Sequence, residues 1–175
     1  MRNKSAILLA AITLAAFASC ADPLAGDLGL YCPEDHFLFR TIDNGTAVEI
    51  TGYVGGRIDV HIPPYIRGLP VTVIGDWGFQ GEGYRIICDE SNEQVGWTWV
   101  KYITSITIPD SIIHIAIGAF NLNQLTSVTI PNGINYIGGW AFRNNQLAYI
   151  VIPNSDAYVS EDAFDIGTIV TMGTD

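Results

Sequence analysis

The chain has 175 residues, with 18 acidic side chains against 8 basic ones, 49% apolar residues and 15% charged ones. Length and apolar content suit one domain with a real core and exclude a mainly disordered chain, while eighteen glycines and eight prolines mark too many turns for a helical bundle. A formal net charge of −10 sets nucleic acid aside as a partner, because gripping a phosphate backbone takes clustered Lys and Arg.

Arg2 and Lys4 precede an apolar stretch from Ala6 to Ala18. The stretch is short for a bilayer span and reads as a secretory signal peptide over residues 1–19. Phe17-Ala18-Ser19-Cys20 resembles a bacterial lipobox, in which small residues precede a cysteine that is acylated and becomes the new N-terminus. That motif usually has Leu where Phe17 stands, and the alternative is cleavage after the A-x-A site Ala16-Phe17-Ala18. Acylation of Cys20 would anchor an exported chain on a membrane. Residues 20–35, with Pro23, Gly26 and Gly29, read as its tether.

Residues 36–56 follow as an N-terminal cap. Two apolar-alternating runs, Phe37 to Ile42 and Ala47 to Thr51, flank Asp43-Asn44-Gly45-Thr46, a strong hairpin signal. Residues 57–79 hold a degenerate repeat with Val60, Ile62, Pro63, Ile74 and Phe79, and residues 80–101 form an insertion. Three gapless repeats then superimpose at a period of 22 residues: 103–124 (ITSITIPDSIIHIAIGAFNLNQ), 125–146 (LTSVTIPNGINYIGGWAFRNNQ) and 147–168, opening LAYIVIPNSDAYVSEDAFDI. Residues 169–175 make a partial fifth strand, with Ile169 and Met172 one period beyond Leu147 and Ile150, serving as the C-terminal cap.

The period has a physical meaning. In Leu125-x-x-Val128-x-Ile130 the last apolar positions alternate, as a strand with one buried face requires, and Pro131 stops the strand by removing a donor. A second apolar segment, such as Ile134 and Ile137, forms the opposite wall. Phe79, Phe120, Phe142 and Phe164 are the expected structural core, the last three stacked in register, because one coil cannot bury its own apolar face. The fold class is therefore a β-rich solenoid of short parallel strands with an N-terminal hairpin cap.

The columns Leu-x-x-Ile-x-Ile-Pro, then Ile-x-x-x-Ala-Phe, resemble the BspA-like, treponemal-type leucine-rich repeat. The opening from Val48 to Phe79 is similar to that family's first unit. The resemblance covers about Phe37 to Met172. It implies a non-enzymatic, protein-binding lipoprotein of the bacterial envelope that adheres to host matrix or cell-surface proteins, lying at the outer membrane or cell surface. The alternative is a periplasmic structural or assembly lipoprotein with endogenous partners. Where ordinary leucine-rich repeats place an Asn ladder after the strand, this chain has Gly133. Asn123 and Asn145, three residues after each Phe, either satisfy coil carbonyls instead or are simple turn residues.

Outward strand positions Ser105, Thr107, Ser127, Thr129, Tyr149 and Val151 are candidates for protein binding, with Tyr149 as the anchor; a merely solvated β-surface is the competing reading. Trp97 and Trp99 in the insertion share one strand face and are further candidates, or pack back on the solenoid. Asp89, Glu90 and Glu93 match no calcium loop. An exported protein permits a disulfide between Cys32 and Cys88, whose rival is a buried, apolar Cys88. His36, His61 and His114 are scattered, and no hydrolase or phosphate-loop motif occurs. No catalytic residue, metal, cofactor or small-molecule substrate is expected.

Overall fold

The computed structural model describes residues 31–81, 83–88, 94–100 and 102–173, the two middle segments by backbone alone. The signal peptide expected over 1–19, Cys20, residues 21–30 of the tether, and Asp89, Glu90 and Glu93 lie outside the described residues.

After a 3-10 turn at Glu34–His36, strands β1 (Phe37–Ile42) and β2 (Ala47–Tyr53) pair antiparallel, with Ile42 opposite Ala47. Their turn carries Asp43, Asn44 and Gly45 at positive φ, conformations that Asn and Gly adopt at low cost. The Thr46 amide and hydroxyl both donate to the Asp43 carbonyl, at 3.3 and 2.8 Å. β3 (Asp59–His61) comes next. The extra residues after Pro63 form a tight hairpin of β4 (Tyr65–Ile66) with the start of β5 (Leu69–Ile74), turning at Arg67-Gly68.

The insertion is an antiparallel hairpin of β6 (Gly83–Cys88) and β7 (Gln94–Val100), Tyr84 opposite Trp99 and Ile86 opposite Trp97. Its runs of Tyr, Ile, Val and Trp are strong strand formers. The remaining strands are β8 (Ser105–Thr107), β9 (His114–Ile115), β10 (Tyr136–Ile137), β11 (Tyr149–Ile152), β12 (Tyr158–Val159) and β13 (Ile169–Met172).

β2, β5, β9, β10 and β12 form one parallel ladder that sets Ile50, Ile74, Ile115, Ile137 and Val159 side by side. The four isoleucines have no exposure, and Val159 packs against the same core. Facing this wall, β3 pairs parallel with β8 and β11 with β13. The prolines then do more than end strands. Pro109 and Pro131 open turns in which the Ile112 and Ile134 amides donate back to their carbonyls.

A third run closes each coil. The Phe79, Phe120 and Phe142 amides donate to the carbonyls of Ala119, Ala141 and Ala163 in the next coil. The Phe rings point inward and stack: Phe79–Phe120 centroids lie 5.2 Å apart, Phe120–Phe142 5.1 Å, and Phe142–Phe164 5.4 Å. Phe37 and Tyr53 of the hairpin cover the outer face of Phe79, at 6.2 and 5.8 Å.

Two expectations are corrected. Residues 125–130 carry no strand ladder, although Leu125 and Ile130 are buried. This coil is held at its corners instead, where Gln124 N–H donates to the Ile103 carbonyl and Gln146 N–H to that of Leu125. The final strand is also offset by two residues from the 22-residue period, with Tyr149 opposite Ile169 and Ile150 opposite Val170. After Phe164 the chain has no counterpart of Asn145. It turns early at Gly167, whose φ of +101° suits glycine, and the Thr168 hydroxyl donates to the Leu147 carbonyl at 2.8 Å. A shift of two keeps every side chain on its face. β13 covers the buried Ile150 and Ile152 but leaves Ile169 61% exposed.

Candidate functional site

The outward positions of the β8 and β11 wall follow from strand alternation. Ile106, Ile108, Ile130, Ile150 and Ile152 turn in, so Ser105, Thr107, Ser127, Thr129, Tyr149 and Val151 turn out, and all six are exposed. Tyr149 is 54% exposed and accepts a hydrogen bond from the Thr171 hydroxyl at 3.2 Å. None of the six is charged, in a chain with 18 acidic residues. At the β3 edge the strip ends in charge, where the His61 ring and the Asp59 carboxylate lie 3.5 Å apart.

On the opposite wall, the outward row of the long ladder runs through Glu49, Val73, His114, Tyr136 and Tyr158. Its last three rings form a near-parallel stack, with centroids 4.4 Å apart for His114–Tyr136 and 5.1 Å for Tyr136–Tyr158. Burial under this stack lowers the pKa of His114, against the opposite pull of the Glu49 and Asp76 carboxylates.

The third run carries a feature absent from the sequence-based candidates. In three successive coils the third residue of the turn before Ala/Gly-Phe is left-handed: Trp77 (φ +55°), Gly118 (φ +61°) and Trp140 (φ +59°). This position favours glycine, and an L side chain there costs about 1–2 kcal/mol. A Cβ on Gly118 would collide with the Trp77 indole. The bare glycine therefore lets Trp77 lie across the intervening coil towards Trp140, with ring centroids 6.0 Å apart. Gln80, Asn121, Arg143 and Asn144 complete an open groove of about 460 Å³ beside the two indoles. The legible signal was the column itself, in which Trp77 and Trp140 align with Gly118 two residues before each Phe.

Asn123 and Asn145 bind coil carbonyls and are part of the scaffold. The Asn123 amide donates to the carbonyls of Phe79 and Phe120, at 2.6 and 3.0 Å, and its Oδ1 accepts from Ile103 N–H at 2.8 Å. In the insertion, Trp97 and Trp99 occupy alternate positions of β7, and their side chains lie outside the described residues. Cys32 is a buried cysteine, and the side chain of Cys88, its possible disulfide partner, lies outside the described residues. The Cys32 backbone is already held by the neighbouring strand, donating to the His61 carbonyl at 3.0 Å. Among the described residues no group of three His, Cys, Asp or Glu side chains is arranged to hold a metal ion, and no helix is long and apolar enough to cross a membrane.

The family model for the BspA type leucine rich repeat region matches residues 92–171, with six copies. The crystal structure of a T. pallidum leucine rich repeat protein is similar at 23% identity over 73% of this chain, with a TM-score of 0.49. The match spans 63% of that protein's length, less than two thirds. No curated protein gives a significant match.

Proposed function

We propose, from the match of residues 92–171 to the BspA type leucine rich repeat region, that this chain is a short solenoid that binds another protein, as a lipid-anchored component of the bacterial envelope. The observation that carries the reading is the uncharged outward strip of Ser105, Thr107, Ser127, Thr129, Tyr149 and Val151, all exposed in a strongly acidic chain. Charge depletion around an aromatic anchor is the composition of protein interface cores. β1 and β2 act as the cap over residues 36–56, because Phe37 and Tyr53 seal the ring of Phe79 from solvent.

Export and anchoring rest on Arg2, Lys4, the apolar stretch to Ala18, and Cys20. The partner class is host matrix or cell-surface protein, and the site is the cell surface. Catalysis has no part in this reading.

Binding of residues 21–175 to immobilised matrix proteins is the direct test, with a Tyr149→Ala, Val151→Ala variant alongside. Loss of about 2 kcal/mol or more of binding energy is expected when an aromatic anchor is truncated. Undiminished binding by that variant would remove the strip as the contact surface. Palmitate labelling of the full chain should vanish with Cys20→Ser. Protease added to intact cells should digest the chain, whereas protection would move it, and its partners, to the periplasm.

A further inference from the structure

We propose that the Trp77–Trp140 groove is a glycan-binding subsite, taking a pyranose ring that bears a carboxylate or sulfate. It lies on the Ala-Phe run of the coils and is independent of the outward strip assigned above to a protein partner.

The groove joins three chemistries that such a sugar needs. Its apolar side is a pair of indoles tilted 51° to one another, and Trp140 is 42% exposed, so an aromatic face is open to the C–H face of a sugar ring. Indoles combine a large apolar face with a polar edge. Its polar side is three carboxamides, those of Gln80, Asn121 and Asn144. A carboxamide both donates and accepts, which matches hydroxyls that do the same. The third part is charge: the Arg143 guanidinium makes no ion pair among the described residues, and its planar fork suits a carboxylate or sulfate.

Two further observations support this reading. Asn144 Nδ2 donates to Asn121 Oδ1 at 2.9 Å. Asn144 is itself fixed by the Asp165 carboxylate, which accepts from its backbone N–H at 2.9 Å. Asn121, 7% exposed, is thereby oriented at the floor of the groove. The coil geometry also runs against chain economy, since Trp77 and Trp140 occupy left-handed positions where glycine is the easier choice. The groove's volume of about 460 Å³ falls within the range of about 300–1,000 Å³ typical of small-ligand sites. A peptide would be drawn to an apolar anchor pocket or a free strand edge; the dense amide lining favours a polyhydroxylated ligand.

The test uses the exported chain, residues 20–175, with titration calorimetry and tryptophan fluorescence. The probes are hyaluronan and chondroitin sulfate tetrasaccharides, neutral chitotetraose, and a proline-rich decapeptide. The acidic tetrasaccharides should bind and change tryptophan emission, and chitotetraose should bind more weakly. Trp140→Gly should weaken binding about tenfold or more without lowering the melting temperature, since glycine suits that backbone. Arg143→Gln, at an exposed position, should bring the acidic sugars down to the affinity of chitotetraose; it keeps the test decisive if Trp140→Gly disturbs the fold. The proposal is overturned if no tetrasaccharide binds at millimolar concentration, if Trp140→Gly leaves binding unchanged, if acidic and neutral sugars bind alike, or if the decapeptide binds and displaces the sugars.

Discussion

Asn145 ties two coils together with one side chain. Its Nδ2 donates to the carbonyls of Phe120 and Phe142, at 2.9 Å each, and its Oδ1 accepts from Leu125 N–H at 3.0 Å. Asn123 repeats the arrangement one coil earlier and is 5% exposed. Backbone groups in the coil interior cannot turn to water, so each needs a partner within the chain.

Replacing Asn123 by Ala strands the Ile103 amide and a share of two carbonyls. The expected loss is about 2–4 kcal/mol, from leaving buried polar groups unpaired. Asn145→Ala should cost less, because its surroundings are only part-buried. Urea denaturation of both variants measures the order, and equal, negligible losses would reduce both residues to ordinary turn asparagines.

The aromatic column predicts a gradient. Phe142 has no exposure and lies between two rings, whereas Phe164 has one stacked neighbour and is only partly buried. Phe142→Ala should cost about 3–5 kcal/mol, as for an aromatic truncated in a packed core, and Phe164→Ala clearly less. Hydrogen exchange should show the loss spreading first through the coils C-terminal to residue 142, since each coil is stabilised by its neighbours.

These columns were readable because a coil repeats one set of demands. Phe120 and Phe142 must fill the same interior space, Ile115 and Ile137 the same wall, and Pro109 and Pro131 the same corner, so equivalent residues fell into line in the sequence. What the sequence left obscure is local backbone choice. The apolar alternation of Leu125-Thr126-Ser127-Val128-Thr129-Ile130 is the same as in the paired strand at Tyr149–Ile152, since burial dictates it with or without a ladder. The two-residue offset of β13 hides for a related reason, because a shift of two preserves the apolar face. The groove was obscured because Trp77 and Trp140 stand in a column where composition alone suggests core aromatics, and only Gly118 in that column marks the left-handed position all three share.

The stack on the long ladder predicts a pH dependence. Burial holds the pKa of His114 below its ordinary value of 6.5, so the unfolded chain takes up the proton first as pH falls. The stability contribution of neutral His114 is therefore complete above about pH 6.5 and is lost as pH drops below it. His114→Tyr would extend the Tyr136–Tyr158 stack with a ring that does not titrate there. The difference in melting temperature between variant and wild type should widen from pH 7.5 to pH 5. A constant difference across that range would show that His114 does not carry the acid sensitivity.

Gly118 makes the last prediction, because it links backbone strain to the groove. Its φ of +61° is unfavourable for alanine, and an added Cβ would meet the Trp77 indole. Gly118→Ala should cost at least the about 1–2 kcal/mol of left-handed strain and should alter near-ultraviolet circular dichroism as Trp77 is displaced. Gly118→Asn separates the two contributions, since Asn tolerates the left-handed region but still brings a Cβ. A double-mutant cycle with Trp77→Ala completes the test. If collision matters, Gly118→Ala should be less harmful once the indole is gone. Strictly additive losses would mean that strain alone explains the glycine, and that Trp77 does not depend on the bare backbone beneath it.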